Sequence, residues 1–363
     1  MMKNSQISLR IFCIMSIKRF TKKDFYEIIQ KMWEVVGIEM QEEKIDVLMA
    51  TYNTNIDFLK MQIDSLLNQT YKEINIIISD DASTHEDTKN TLKEYLKKDN
   101  RIQVFFNEKN LGYVKNFEFL LKKSEANYIM FCDHDDIWYN NKIEVMYKKI
   151  IESNADLVYC NARQIDKNGK ILRESYIDYK HLPKMNGKNS MLACSRHIAI
   201  GCSQMFTKKI KEQMLPYKES VIAHDWITMY LATIGKGVAY INEPLFDYRL
   251  HEENEFGGRS LNQNLNRWKK QYGNTYKAYK EYRNWAITDT FYKGSKMCDE
   301  YVHTKENIEI LSYYEKIIKT KIFNIHFCKY FKYLGFKGIK SRALKEIVLF
   351  HMPILGYMKF KLR

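Results

Sequence analysis

The stretch Tyr128-Ile-Met-Phe-Cys-Asp-His-Asp-Asp136 decides the fold class, because a short apolar run passes directly into a cluster of carboxylates. A run of bulky apolar residues this short predicts a buried strand. Polar residues that follow such a strand lie at the sheet edge where α/β proteins bind their ligands. The stretch therefore predicts a strand at Tyr128–Cys132 and a ligand site immediately after it.

The residues before this stretch repeat the same order of strand, polar turn and helix. The spacing of apolar residues predicts strands at Asp46–Thr51, Ile74–Ser79 and Ile102–Phe106, and helices at Asp57–Asn68, Glu86–Lys98 and Val114–Ser124. Strands that alternate with helices form a mostly parallel sheet with helices on both faces. We therefore expect an α/β fold with a mixed, mostly parallel sheet.

The residues after this stretch continue the pattern and then change character. They predict helix Lys142–Glu152, strand Asp156–Cys160, a hairpin-like turn at Asp166–Gly169, a less regular region up to Met214, helix Trp226–Ile234 and strand Gly237–Asn242. Beyond Gly258 the sequence is helical and rich in Tyr and Lys. We divide the chain into a helical extension at 1–43, an α/β domain at 44–258 and a basic, aromatic-rich helical module at 259–363. The extension is either a small added element or an artefact of an assigned start that lies too early, with the natural start at Met40.

The charge of the chain restricts its partners. The 363 residues carry a formal net charge of +14, which favours nucleic acid, an anionic membrane surface or a phosphorylated substrate. Tyr and Lys interleave at 268–283 and 313–337, but no nucleic-acid-binding motif accompanies them, so we expect no nucleic-acid partner. The basic module suits either peripheral contact with the inner face of the cytoplasmic membrane or a helical lid packed on the α/β domain.

The cysteines and the apolar runs bear on the cellular compartment. The seven cysteines are scattered without a CxxC spacing, which favours reduced thiols. No apolar run approaches the roughly 20 residues that span a bilayer, and the N-terminus is a poor signal peptide. We therefore expect a cytoplasmic protein.

Polar residues follow four of the predicted strands in succession. The four segments are Thr51-Tyr52-Asn53, Asp80-Asp81, Asn107–Gly112 and Asp133–Asp136. Any one of them has an ordinary explanation as a solvated loop. Four in a row on the ligand-binding edge favour a site for a nucleotide diphosphate.

Asp133 and Asp135 are candidate metal ligands, since both can turn toward one point beyond the strand. Hard carboxylate oxygens suit Mg²⁺ or Mn²⁺, and such an ion stabilises the charge that builds on a leaving phosphate. His251 is the best candidate for a further ligand, although a lone His is more often structural. The alternative for the acidic pair is an acidic turn or a cap of the helix that begins at Lys142.

Asp225 is the candidate general base for an incoming hydroxyl. It stands at a predicted helix start, beside Trp226, which could stack on a sugar ring. The alternative is that Asp225 is the N-cap of that helix, and one residue can do both.

Six motifs in order together resemble the family 2 glycosyltransferases with the GT-A fold, and most closely the bacterial rhamnosyltransferase-like enzymes of surface-polysaccharide synthesis. The motifs are Ala50–Asn53, Gln62–Tyr71, Ile78–Thr84, Asn107–Gly112, Phe131–Trp138 and His224–Trp226. Each motif alone is weak, but the combination is specific, and it covers roughly residues 45–258.

The resemblance implies roles for individual residues. The nucleotide-sugar donor would be contacted by Thr51, Tyr52, Asn53, Asp80, Asp81, Asn110, Gly112, Lys115 and Asp133. Within this set Asp81 would bind the base edge and Asp80 would support its loop. Asp133 and Asp135 match the DxD motif and, with His251, would hold Mn²⁺ or Mg²⁺. Asp225 matches the catalytic base of an inverting single displacement.

The expected function is therefore transfer of a sugar, rhamnose or another hexose, from a nucleotide diphosphate to a saccharide or lipid-linked saccharide acceptor in cell-surface polysaccharide synthesis. The alternative is a non-catalytic sugar-binding or scaffold protein on the same fold. A nucleotidyltransferase would need a Gly-rich loop after the first strand, which this chain lacks. Two positions depart from the family pattern, because His134 replaces the usual Gln or Ala and Ala82 replaces a common Gly.

Overall fold

A computed structural model describes residues 43–251, Thr288 and residues 292–319. The chain divides into two compact units, Met1–Glu43 and Lys44–Arg363. The predicted N-terminal extension lies outside the described residues except for Glu43, and so does most of the module predicted at 259–363.

The first half of the α/β domain follows the predicted order of elements. They are β1 (Ile45–Thr51), α1 (Ile56–Leu67), β2 (Ile74–Asp80), α2 (Glu86–Lys98), β3 (Ile102–Phe106), α3 (Tyr113–Lys123) and β4 (Tyr128–Cys132). β1 and β2 are buried along almost their whole length, as expected for strands covered by helices on both faces. Helix α1 begins after Asn55, whose side chain accepts the backbone N–H groups of Asp57 and Phe58.

The second half contains more elements than the sequence predicts. They are β5 (Ile137–Trp138), α4 (Lys142–Ser153), β6 (Leu157–Asp166), β7 (Ile171–Arg173), α5 (Tyr176–Lys180), α6 (Ser190–Ser195), a 3-10 turn (Gly201–Ser203), β8 (Gln204–Thr207), α7 (Lys208–Met214), α8 (His224–Ile234) and β9 (Val238–Leu250). Strands β6 and β9 are longer than predicted because they pair with each other far beyond Cys160, across two register shifts. The predicted irregular region holds short elements that periodicity does not resolve.

The strands form one sheet in the order β3-β2-β1-β4-β8-β6-β9-β5, with β7 paired to β6. Strands β1 to β4 run parallel, as do β6 and β9, whereas β8 is antiparallel to both of its neighbours. The expectation of a mixed, mostly parallel sheet is confirmed. The carboxyl ends of β1, β2 and β4 meet at one edge, where the polar segments begin.

Two further helices, α9 (Lys293–Tyr301) and α10 (Lys305–Lys319), pack against α6 and α8. The hydroxyl of Tyr314 donates to the backbone oxygen of Ser195, and the side chain of Asn307 donates to the hydroxyl of Tyr230. These helices therefore brace the part of the domain that leads to Asp225. Among the helices of the described residues, none is long and apolar enough to cross a membrane.

Candidate active site

The loops that follow β1 and β2 are tied together by buried polar contacts. Thr51 Oγ1 donates to Asp80 Oδ1 over 3.1 Å, and the carboxylate of Asp80 also accepts the backbone N–H and the hydroxyl of Ser83. Both Thr51 and Asp80 are buried. Asp80 therefore ties the end of β1 to the turn after β2.

Asp81 connects the loop after β2 to the loop after β3. Its buried carboxylate accepts the side-chain amide of Asn107 at 3.0 Å and the backbone N–H groups of Leu111 and Gly112 at 2.8 and 2.9 Å. The side chain of Asn110 also accepts the N–H of Gly112. Three residues predicted to approach the donor, Asp81, Asn110 and Gly112, thus form one contact network.

Other predicted donor contacts lie at the rim of this network. The Asn53 side chain accepts the backbone N–H groups of Thr84 and His85 at 2.8 and 3.1 Å, so it shapes the turn after β2. Tyr52 is exposed. Lys115 is exposed on α3 and forms an ion pair of 2.8 Å with Glu118.

Ala82 stands in this turn with a φ of +59°, in the left-handed region that favours glycine. The departure from the usual Gly that the sequence shows at this position is therefore a point of backbone strain. It does not remove any polar group from the site.

The acidic segment after β4 brings Asp135 and His251 together. Asp135 Oδ2 lies 2.7 Å from His251 Nε2. Arg249 holds the end of β9 against this segment, since its backbone N–H donates to Asp136 Oδ1 and its Nε donates to the backbone oxygen of Asp135. Burial acts to raise the pKa of Asp135, but His134 and His251 more than offset it and hold the pKa below its usual value.

Asp133 lies in a second group of ligand atoms, with Asp136 and Cys202, all within 4.8 Å of one another. Burial and the charge of Asp135 raise the pKa of Asp133 to about 6. Burial and the charges of Asp135 and Asp133 also raise the pKa of Asp136 well above its usual value.

The cap interpretation of this segment is wrong, because helix α4 begins after Asn141.

These residues fit a divalent cation. Carboxylate oxygens and a neutral imidazole are ligands that Mn²⁺ accepts, and Mg²⁺ prefers the carboxylates. Burial is the main cause of the raised pKa values of Asp133 and Asp136, and repulsion from neighbouring carboxylates adds to it; a bound cation would relieve that repulsion. The three predicted ligands fall in two groups, because Asp135 contacts His251 whereas Asp133 lies with Asp136 and Cys202.

A buried lysine fixes the turn beside the acidic segment. Lys142 Nζ donates to the backbone oxygen of Cys202 over 2.6 Å, and it lies 3.5 Å from the centre of the Trp138 ring. Gly201 lies close to α8, because a Cβ there would be 3.3 Å from His224 Nε2, and it lies in ordinary contact range of Asp225 Cβ and Phe131 Cβ. The turn therefore brings the start of α8 next to the end of β4.

Asp225 lies in the first turn of α8, and its Oδ2 is 3.0 Å from His197 Nε2. Burial acts to raise the pKa of Asp225, but His197 more than offsets it, so the pKa is lowered. The N-cap position is held by Ala223, so the alternative interpretation of Asp225 as the cap is wrong.

The prediction that Trp226 stacks on a sugar ring is wrong. Its side chain is 3% exposed, and its Nε1 donates to the backbone oxygen of Ala193. The indole packs against Gly294 of α9, a helix about 70 residues away in the sequence. This packing could not be predicted from the local pattern.

The sequence did not single out His197, Cys202, Arg249 or Lys142. Arg249 had a signal, because it lies two residues before His251 on a strand-like run. His197 and Cys202 lie in the region without clear periodicity, where no motif marks them.

The chain is similar to known glycosyltransferases. The family model described as glycosyl transferase family 2 matches residues 46–215. The chain is 30% identical over 234 residues to an uncharacterized glycosyltransferase of Methanocaldococcus jannaschii, which covers 62% of this chain and 78% of that protein. It is also 30% identical over 151 residues to the UDP-Glc:alpha-D-GlcNAc-diphosphoundecaprenol beta-1,3-glucosyltransferase WfgD of Escherichia coli, covering 41% of this chain and 58% of the relative.

Other curated relatives are longer proteins, of which the chain spans between 19 and 31%. Among solved structures, the chain is similar to the mannosyltransferase PcManGT of Pyrobaculum calidifontis in complex with GDP-Man and Mn²⁺. The TM-score is 0.50 at 12% identity, over 89% of this chain and 88% of that one.

The sheet order and the shared architecture define a GT-A glycosyltransferase fold. Within that class, the chain belongs to glycosyl transferase family 2.

Proposed function

We propose that this chain is an inverting glycosyltransferase that moves a hexose or deoxyhexose such as rhamnose from a nucleotide diphosphate sugar to a saccharide or lipid-linked saccharide acceptor in cell-surface polysaccharide synthesis. One observation carries the proposal. Gly201 lies against Phe131 of β4 and Asp225 of α8, and its neighbour Cys202 lies with Asp133 and Asp136, so the acidic segment and Asp225 adjoin the same turn. The name of the E. coli relative, with its UDP-Glc donor and lipid-linked acceptor, supports these substrate classes.

The cation in this proposal is Mn²⁺ or Mg²⁺, and Asp133, Asp135 and His251 would hold it. When bound, the ion stabilises the negative charge that develops on the leaving diphosphate. The presence of Mn²⁺ with the related P. calidifontis enzyme supports this choice of ion.

Asp225 would act as the general base. It takes the proton of the acceptor hydroxyl while that oxygen bonds to the anomeric carbon and the bond from that carbon to the diphosphate oxygen breaks. A lowered pKa keeps the Asp225 carboxylate ionised near pH 7, which a base requires. One displacement at the anomeric carbon inverts its configuration.

The donor would occupy the edge formed by the loops after β1, β2 and β3. In this proposal Tyr52 lies along the nucleoside, Asp81 binds the base edge, and Lys115 attracts the diphosphate. Asp81 already binds the N–H groups of Leu111 and Gly112, so nucleoside binding and the position of that loop are linked. Residues 259–363 would contact the inner face of the cytoplasmic membrane, where a lipid-linked acceptor lies.

The test is turnover of a panel of nucleotide sugars with and without Mn²⁺ or Mg²⁺, using cell-derived lipid-linked acceptors. Asp135→Ala is expected to remove metal-dependent turnover. Asp225→Asn is expected to retain donor binding and to lower kcat by about 10² to 10⁴-fold. Glu94→Gln, an exposed carboxylate on α2, is the matched control and should match wild type.

The configuration of the product at the anomeric carbon tests the inverting mechanism by proton NMR. A product that retains the donor configuration would contradict a single displacement. If no nucleotide sugar binds or turns over, the non-catalytic alternative becomes the leading hypothesis.

A further inference from the structure

We propose that His197 is a positioning residue that holds Asp225 as an ionised and correctly oriented base. This inference rests on the proposed role of Asp225. It adds a residue that neither the sequence motifs nor the comparisons mark.

The contact between the two side chains is direct. His197 Nε2 lies 3.0 Å from Asp225 Oδ2, and the side chains are 35% and 14% exposed. The two atoms form an ion pair and not a directed hydrogen bond, since Nε2 is buried without a hydrogen-bond partner among the described residues, so the imidazole acts on Oδ2 through its charge and Oδ1 would take the proton of an acceptor hydroxyl. Charge pairing favours the orientation of the Asp225 side chain in which Oδ2 faces the imidazole, and an oriented carboxylate is what general base catalysis requires.

The His197 ring is itself held in place. It lies 5.8 Å from the ring of Trp226, and the indole of Trp226 is anchored by its hydrogen bond to Ala193. The residues that follow His197, Ile198 and Ala199, are almost completely buried. The imidazole therefore approaches Asp225 from a rigid segment.

Of the two histidines beside Asp225, His197 is the one whose positive charge can offset the negative charge of the carboxylate. Burial acts to lower the pKa of His197, but the charge of Asp225 more than offsets it and the pKa is raised. His224 also adjoins Asp225, yet burial lowers the pKa of His224 to about 4, so its ring is neutral near pH 7. The other titratable groups that act on Asp225 are Tyr217, which is neutral near pH 7, and the acidic Asp133.

The consequence concerns the protonation of the base. A carboxylate in a buried site takes up a proton more readily than one in water. An imidazolium beside it favours the charged form, so Asp225 stays ready to accept the hydroxyl proton. Loss of His197 would leave Asp225 protonated over more of the acidic pH range.

The first test does not depend on turnover. The imidazole resonances of His197 are followed by NMR against pH in wild type and in Asp225→Asn, and His197→Gln identifies the peak. The midpoint of the His197 titration is expected to be lower in Asp225→Asn than in wild type. An unchanged midpoint would overturn the proposal, whether or not the protein transfers sugar.

The second test is the pH profile of kcat in His197→Gln. Gln keeps an N–H donor but has no charge, so kcat should fall roughly tenfold at pH 6 and less than about threefold at pH 8.5, with little change in acceptor KM. His197→Ala loses the donor as well and should fall further at both pH values.

The matched control is His303→Gln, which removes an exposed His paired with Asp299 on α9. It should leave the profile unchanged. A parallel loss at every pH in His197→Gln, or no loss at all, would reduce His197 to a structural residue. Failure of wild type to use any donor would refute the proposed function, while the NMR titration would still decide the pairing.

Discussion

The two halves of the site differ in how their buried carboxylates are stabilised. On the side formed by β1, β2 and β3, Asp80 and Asp81 each accept three hydrogen bonds from the surrounding loops. On the side formed by β4 and β9, Asp133 and Asp136 crowd against Asp135, and their pKa values are raised. We call the first the framework side, because its carboxylates have full sets of hydrogen-bond donors. On the second side, neighbouring carboxylates repel one another.

The difference teaches which residues shape the site and which perform chemistry. Buried carboxylates with full sets of donors stabilise a fold. Buried carboxylates left close to one another cost stability and are typical of functional sites. The loops after β2 and β3 therefore shape the edge of the sheet, and the segment after β4 is the part that the proposed cation would complete.

The largest expected effect falls on the framework side. Asp80→Ala leaves the donors of Thr51 and Ser83 without their acceptor in a buried site, so we expect the free energy of unfolding to fall by about 3 kcal/mol. Urea denaturation measures it, and Glu94→Ala should stay within about 0.5 kcal/mol of wild type. A loss below about 1 kcal/mol for Asp80→Ala would remove the distinction between the two sides.

The side that carries the proposed base, Asp225, packs against helix α9, which lies late in the sequence. A Cβ at Gly294 would overlap the indole of Trp226, which is buried and cannot move aside. Gly294→Ala should lower the free energy of unfolding by about 2 kcal/mol and also reduce kcat, because Trp226 adjoins Asp225. Lys296→Ala, at an exposed position of the same helix, is the control. Equal stability of both variants would show that α9 does not brace the base.

Substitution of Asp133 is expected to have a smaller effect, and it should raise the free energy of unfolding where the two preceding variants lower it. Its pKa of about 6 in the folded protein lies above the ordinary value of 3.8, so the folded state binds a proton that the unfolded chain releases. Wild type therefore loses stability as the pH rises through 6. Asp133→Asn mimics the protonated form and should be more stable than wild type by about 1 kcal/mol at pH 8 without metal, with the difference shrinking toward pH 4. A variant less stable than wild type at pH 8 would contradict the repulsion.

The smallest effect tests the one strained turn on the framework side. Ala82→Gly relieves a left-handed backbone and should raise the free energy of unfolding by about 0.5 to 1 kcal/mol. Ala193→Gly, within helix α6, should act in the opposite direction. Thermal melting of the two variants measures both, and equal shifts in the same direction would contradict the strain at Ala82.

Sequence reasoning worked where local patterns decide the structure. Strands β1 to β4 have ends within one residue of those predicted, because short apolar runs alternate with amphipathic helices. The meeting of Asp81 with Gly112 follows from parallel strands whose ends share an edge. The strain at Ala82 was signalled by its departure from the usual Gly.

Sequence reasoning failed where contacts between segments far apart in the sequence determine the position of a side chain. Trp226 was expected to face a ligand, but α9 covers it, and no local pattern reports a contact with Gly294. His197 was not predicted, because a single His in a segment without periodicity belongs to no motif. It gains its proposed role only because α8 brings Asp225 next to it. Of the module predicted at 259–363, helices α9 and α10 are described, and the prediction of membrane contact stays untested.

The most direct test of the central claim is the thermal shift that Mn²⁺ and a nucleoside diphosphate produce together. At about 100 times the dissociation constant, binding stabilises the folded state by about 2.7 kcal/mol, so wild type should gain roughly 5 °C or more in Tm. Asp135→Ala should lose this gain, and Glu94→Gln should keep it. A shift as large in Asp135→Ala as in wild type would contradict the assignment of the segment after β4 as the metal site.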